Sequence, residues 1–91
     1  MVHTTTAALP PQEVLTRAKA FFAERVPNSS AYPEQEGPTF LVLRGQGGEE
    51  VTLSAVAADG GARIRASTLF FDQALDRFLS TLPLTDEVRV A

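Results

Sequence analysis

Thr39-Phe40-Leu41-Val42-Leu43-Arg44 is a β-forming, nearly all-apolar run that ends on the glycine-rich Gly45-Gln46-Gly47-Gly48. Branched and aromatic side chains suit a pleated, half-buried surface, and near-continuous apolarity implies burial on at least one side. A strand over 39–44 followed by a flexible turn is the expectation. Residues 49–58 resume period-two alternation, with Val51, Leu53, Ala55 and Ala57 facing one way and Thr52, Ser54 and Val56 the other. The two runs read as a hairpin. Asp59-Gly60-Gly61 is a tight-turn signal, because glycine accepts positive φ without a Cβ clash. A third antiparallel strand should therefore return over 62–68, where Ala62, Ile64, Ala66 and Thr68 oppose Arg63, Arg65 and Ser67.

Helical spacing flanks this meander. Pro10-Pro11 suits a first helical turn, where a missing N–H costs nothing, and Glu13 meets the positive end of the dipole. Val14, Leu15, Ala18, Phe21, Phe22 and Val26 then make one apolar stripe, which Pro27 and Asn28-Ser29-Ser30 end. After the meander, Ser67 or Thr68 can cap a second helix carrying Phe71, Ala74, Leu75, Phe78, Leu79 and Leu82, which Pro83 closes. Residues 2–8, rich in threonine, read either as an opening edge strand or as a frayed tail. Residues 31–36 carry Pro33, so any strand there is irregular or on an edge. Neither helix can bury its stripe alone, and the meander needs a cover over its apolar face. The expected architecture is α+β: an antiparallel meander of three to five strands with an N-terminal and a C-terminal helix packed on one face. It forms one domain over 1–83, followed by a tail over 84–91.

Composition narrows the functional classes. The 91 residues include 8 Lys and Arg, 11 Asp and Glu, one His and no Cys, for a formal charge of −3. That sign does not suit a domain held on nucleic acid by phosphate neutralisation, so no nucleic-acid partner is expected. Without cysteine there is neither a disulfide framework nor a thiolate zinc site, which fits a reducing cytoplasm. The opening residues do not read as a signal peptide, and no run approaches the roughly 20 apolar residues of a membrane span. A soluble, cytoplasmic protein with no membrane partner is the expectation.

Motifs of chemistry are few. Gly45-Gln46-Gly47-Gly48 precedes a strand and lacks the Lys-Ser/Thr pair of a phosphate loop, so it reads as a hairpin turn. Glu34 with Glu36, Glu49 with Glu50, and Asp72 with Asp76 are carboxylate pairs, better read as solvated or dipole-stabilising groups than as metal ligands or acid–base couples. A serine triad needs a positioned base, and His3 is the one histidine. Arg44, Arg63 and Arg65 suggest a basic stripe across neighbouring strands, which the overall acidity favours reading as a solubilising device. No catalytic residue, metal site or cofactor is assigned. The aromatic set leaves a fork open. Either the rings fill the layer between helices and sheet as core, or a small apolar ligand lodges there, lined by Phe21, Phe40, Leu53, Ile64, Phe71 and Phe78.

The stretch Thr4-Thr5-Thr6-Ala7-Ala8-Leu9-Pro10-Pro11-Gln12-Glu13-Val14-Leu15, strand-like residues entering a helix through a Pro-Pro-x-Glu-Val step, resembles the opening of the START or Bet v 1-like (SRPBCC) superfamily. Its members wrap an antiparallel sheet around a long C-terminal helix. The resemblance implies a reduced, helix-grip-like small bacterial domain with an apolar cavity between sheet and helix, and it carries no catalytic residues. The expected function is a non-catalytic small domain that binds an apolar ligand. The alternative is a protein-interaction or self-association module, a homodimer included.

Overall fold

The computed structural model describes residues 1–26 and 30–91. In chain order it contains β1 (Val2–Ala7), α1 (Pro11–Glu24), β2 (Ala31–Glu36), β3 (Phe40–Gly45), β4 (Glu50–Ala58), β5 (Gly61–Thr68), α2 (Asp72–Ser80) and β6 (Arg89–Val90). The fold is α+β. Among the described residues its strands form one six-stranded sheet in the order β2-β3-β4-β5-β1-β6, and each strand pair is antiparallel.

The central hairpins follow from the local turn chemistry. Leu41 lies opposite Leu53 and Leu43 opposite Val51, while Leu53 faces Ala66 and Ala55 faces Ile64. Gly60, at φ +75°, makes the tight turn from β4 to β5, a backbone conformation that a Cβ disfavours. Its neighbour Gly61 is required for a different reason: a Cβ there would stand 1.9 Å from the Ala7 carbonyl oxygen. Ala57, expected on the buried face, lies exposed near the end of β4.

Helix α1 starts as read, with Pro11 in its first turn. It ends at Glu24, where the Arg25 N–H donates to the Phe21 carbonyl at 2.8 Å. The expected stop at Pro27, Asn28 and Ser29 lies outside the described residues. The chain leaves β1 in the middle of one half of the sheet and reaches β2 at the far edge through α1, which packs on β2, β3, β4 and β5 as it crosses. Neither Ser67 nor Thr68 caps α2 as expected: the N-cap position is Phe71, with no side-chain capping bond. Thr68 instead ties down the turn ahead of the helix, its hydroxyl oxygen accepting from the Phe71 N–H at 3.1 Å and the Phe70 N–H at 3.3 Å while its own O–H donates to the Glu50 carbonyl at 2.9 Å.

Both helices cover the same side of the sheet. Val14, Leu15, Ala18, Phe21 and Phe22 of α1 and Ala74, Leu75, Phe78 and Leu79 of α2 join the inward residues of the strands in one cluster. The helices meet through rings: Phe21 and Phe78 have centroids 5.5 Å apart, and Phe22 and Phe78 6.2 Å.

The sheet is larger than the three to five strands expected. Residues 2–7 form a true strand beside β5, and residues 31–36 form an edge strand with a bulge between Pro33 and Gln35. Residues 84–91, expected as a tail, run along β1. The Thr85 N–H donates to the Thr6 carbonyl at 2.9 Å, Val2 and Ala91 exchange backbone bonds at 3.0 and 2.9 Å, and Leu84 and Val88 pack against the core. An uncovered β1 would present a row of unpaired backbone groups, and this segment satisfies them.

Candidate functional site

Five of the six residues nominated for an apolar ligand layer come together. Phe21, Leu53, Ile64, Phe71 and Phe78 lie in the one core cluster, and Leu53, Ile64 and Phe78 are fully buried. They touch core neighbours: the Phe22 ring, for example, meets Phe71 edge-on at 5.9 Å. The sixth does not join them. Phe40 pairs with Ser54, one position out of phase with the inward Leu41–Leu53 pair, so it stands on the opposite face, 38% exposed, with its ring over Gly37.

That opposite face has neither helix packed on it. Six strands contribute alternate residues to it, and no described element packs there. Register arranges them in rows. Phe40, Ser54, Arg65, Thr4 and Arg89 form one row across β3, β4, β5, β1 and β6. Val42, Thr52, Ser67 and Val2 form the next. Short hydroxyl side chains, Thr4, Thr52, Ser54 and Ser67, therefore surround Arg65 near the centre of the face.

Charge is segregated on this face. At the β2–β3–β4 side, Arg44 donates to Glu34 through Nε and Nη2 at 2.7 and 2.9 Å and to Glu50 at 2.8 Å. The forked bond holds the Glu34 carboxyl below the usual carboxylate range. Two carboxylates against one guanidinium leave this side net negative, so Arg44 does not belong to the basic stripe that its sequence position suggests. At the β5–β1–β6 side, Arg63 and Arg65 form no ion pair among the described residues, and Arg89 reaches only Asp86, at 3.7 Å. Sequence reasoning found Arg63 and Arg65 but missed Arg89 and Thr4, because their strands become visible only through non-local pairing.

The sheet's edges are blunted. Along β2, Pro33 has no N–H to offer, the bulge breaks the ladder, and Glu34 and Glu36 add charge. The opposite edge, β6, is two residues long.

Two smaller features lie elsewhere. A hollow of ≈ 300 Å³ between the helices is lined by Arg17, Phe21, Arg25, Phe78 and their neighbours. On the covered side, His3 is buried and its Nε2 lies 3.0 Å from Asp72 Oδ1, tying β1 to the start of α2. This contact is the main reason the Asp72 carboxyl sits below its usual range, with the Met1 amine 3.4 Å away adding to it. The other carboxylate pairs diverge: Glu36 binds Lys19, Glu49 accepts from the Gly47 N–H, and Glu50 turns to Arg44. Among the described residues no group of three or more His, Cys, Asp or Glu is placed to hold a metal ion, and no helix is long and apolar enough to cross a membrane.

The chain matches no protein-family model, no curated protein and no solved structure.

Proposed function

We propose that this chain is a non-catalytic interaction module that works through the open face of its sheet. The observation that carries this reading is the uncovered face itself, with Phe40, Val42 and Val56 set among short hydroxyl residues and unpaired arginines. Large apolar side chains held on a rigid, uncovered surface suit a partner better than they suit water. The dispersal of the carboxylates and the engagement of the buried His3 with Asp72 support a non-catalytic role. A protein partner fits the net charge of −3 better than nucleic acid does, and the absence of cysteine supports a cytoplasmic setting. The test is a photo-crosslinking residue placed at Thr52 on the open face or at Gln73, exposed on α2. A discrete adduct from position 52 and none from 73 is expected; equal adducts, or none from 52, refute the reading.

A second reading has one specific observation behind it. The inter-helix hollow is lined by Phe21 and Phe78 together with Arg17, Glu24 and Arg25, and with Arg17 paired to Glu13 it is Arg25 that would draw a small apolar acid there. Titration with an aromatic carboxylate should then shift the amides of Ala20, Phe21 and Thr81; unmoved amides at saturating concentration refute it.

A further inference from the structure

We infer that the outer edge of β1 is a strand-acceptor site, which residues 84–91 of a second copy of this chain can fill in place of the chain's own. The inference does not draw on the open face and leaves that face as it is.

The site is already occupied within one chain, and its occupant shows what fits it. Val2 exchanges both backbone bonds with Ala91 at 3.0 and 2.9 Å, Thr4 pairs with Arg89, and the Thr85 N–H and Ala8 N–H donate to the Thr6 and Pro83 carbonyls, each at 2.9 Å. Side chains fix the register. The Thr6 and Thr85 hydroxyls lie 2.8 Å apart, the Thr5 hydroxyl donates to the Asp86 carbonyl at 3.0 Å, and Leu84 and Val88 pack against the core. Every copy of the chain carries this same segment.

The segment is lightly held. Ladder pairing is limited to the two residues of β6 and a single bridge from Leu84 to Ala7, and between them residues 85–88 stand opposite only Thr5 and Thr6. None of residues 84–91 is buried: Leu84 and Val88 are half-buried and the others exposed. Segments with so few buried apolar contacts open at the lowest free energy. The hinge is equally defined. Leu82 is buried and anchors the end of α2, and the Leu84 N–H donates to the Leu82 carbonyl at 2.8 Å across Pro83. That three-residue turn lays the segment back on its own β1, whereas proline favours an extended residue before it.

Once the segment lifts, β1 exposes a row of unpaired N–H and C=O groups. The same edge of a second copy restores every contact that the lifted segment made with β1 and the core. Reciprocal exchange between two copies leaves neither edge open, so association stops at a two-fold dimer. Only the hinge turn is given up. The chain's own segment competes at an effective concentration on the order of millimolar or above, which places exchange in concentrated protein.

The chain has no cysteine, so introduced thiols report the contact directly. Full chains carrying Thr6→Cys and Thr85→Cys separately are mixed at about 1 mM, left to equilibrate, oxidised, and their adducts identified by mass. A mixture of Thr85→Cys with Thr16→Cys, exposed on α1, measures random collision. A 6–85 adduct about tenfold above the 16–85 adduct, with a reversible dimer of the unaltered protein in sedimentation at the same concentration, supports exchange. A 6–85 adduct at the collision level overturns it, as does a strict monomer or a dimer that forms without that adduct. The Thr6→Cys/Thr85→Cys double variant, oxidised at about 1 µM, should close a disulfide within one chain; failure to close overturns the contact on which the inference rests. Crosslinking from position 52 reads the open face independently of all these outcomes.

Discussion

Replacing Phe78 by alanine separates the two faces of this sheet most sharply when it is compared with the same change at Phe40. Phe78 is fully buried and wedged against Phe21 and Phe22 at centroid distances of 5.5 and 6.2 Å. Truncation there removes the transfer energy of the ring and leaves a cavity that the two helices cannot close, together about 3–5 kcal/mol. A chain of this length has a total stability of roughly 5–13 kcal/mol. The variant should thus lose about a quarter of its margin or more and melt at least about 12 °C lower. Phe40 is 38% exposed and open to solvent on its outer side, so its loss leaves no enclosed void. Only about three-fifths of the ~1.5–3 kcal/mol for full burial is at stake there, or about 1–2 kcal/mol. Urea denaturation at 25 °C, with equal slopes for all three proteins, measures both. Equal losses at the two positions would refute the assignment of Phe40 to the uncovered face.

Three further outcomes follow from particular contacts. Thr68→Val removes the hydroxyl that accepts from Phe70 and Phe71 and bonds the Glu50 carbonyl; a loss of about 1–2 kcal/mol is expected in the same urea assay, with Thr68→Ser recovering most of it. Gly61→Ala should destabilise far more than Gly60→Asn, because the first drives a Cβ into the Ala7 carbonyl while the second keeps a residue tolerant of positive φ with nothing within 4 Å; thermal melts of the two variants compare them. The Asp72 carboxyl is held below its usual value by His3, so its contribution is fully present above the unfolded-state pKa near ~3.9 and is lost as pH falls through the folded-state value. Melts between neutral pH and about pH 3 should therefore show a steeper acid loss in the unaltered protein than in Asp72→Asn; parallel curves would refute the His3–Asp72 tie.

Much of the fold was legible because its signals are local. The meander over residues 39–68 declares itself through alternation and glycine turns, and the helices through apolar stripes at helical spacing. What sequence hid is non-local. The inward residues of β1 are His3, Thr5 and Ala7, and two of the three are polar. Their burial is intelligible only once His3 meets Asp72 and Thr5 donates to the Asp86 carbonyl at 3.0 Å. Residues 84–91 look like a tail until β1 supplies the backbone partners. At the candidate site, the apolar run around Phe40 conceals its parity. Arg44, at the same parity two residues beyond Val42, was the signal that this set of side chains faces outward. The stripe of Arg44, Arg63 and Arg65 dissolved for a related reason: the β2 bulge brings Glu34 against Arg44, and bulges leave no clear mark in sequence.

Everything proposed for the open face requires that both helices lie on the other one. Nuclear Overhauser contacts from the rings of Phe22 and Phe78 measure this directly. Contacts to the methyl groups of the Leu41, Leu53 and Ile64 cluster, with none from either helix to Val42 or Val56, are the predicted result. A contact between a ring of α1 or α2 and the Val42 or Val56 methyls within one chain would contradict it.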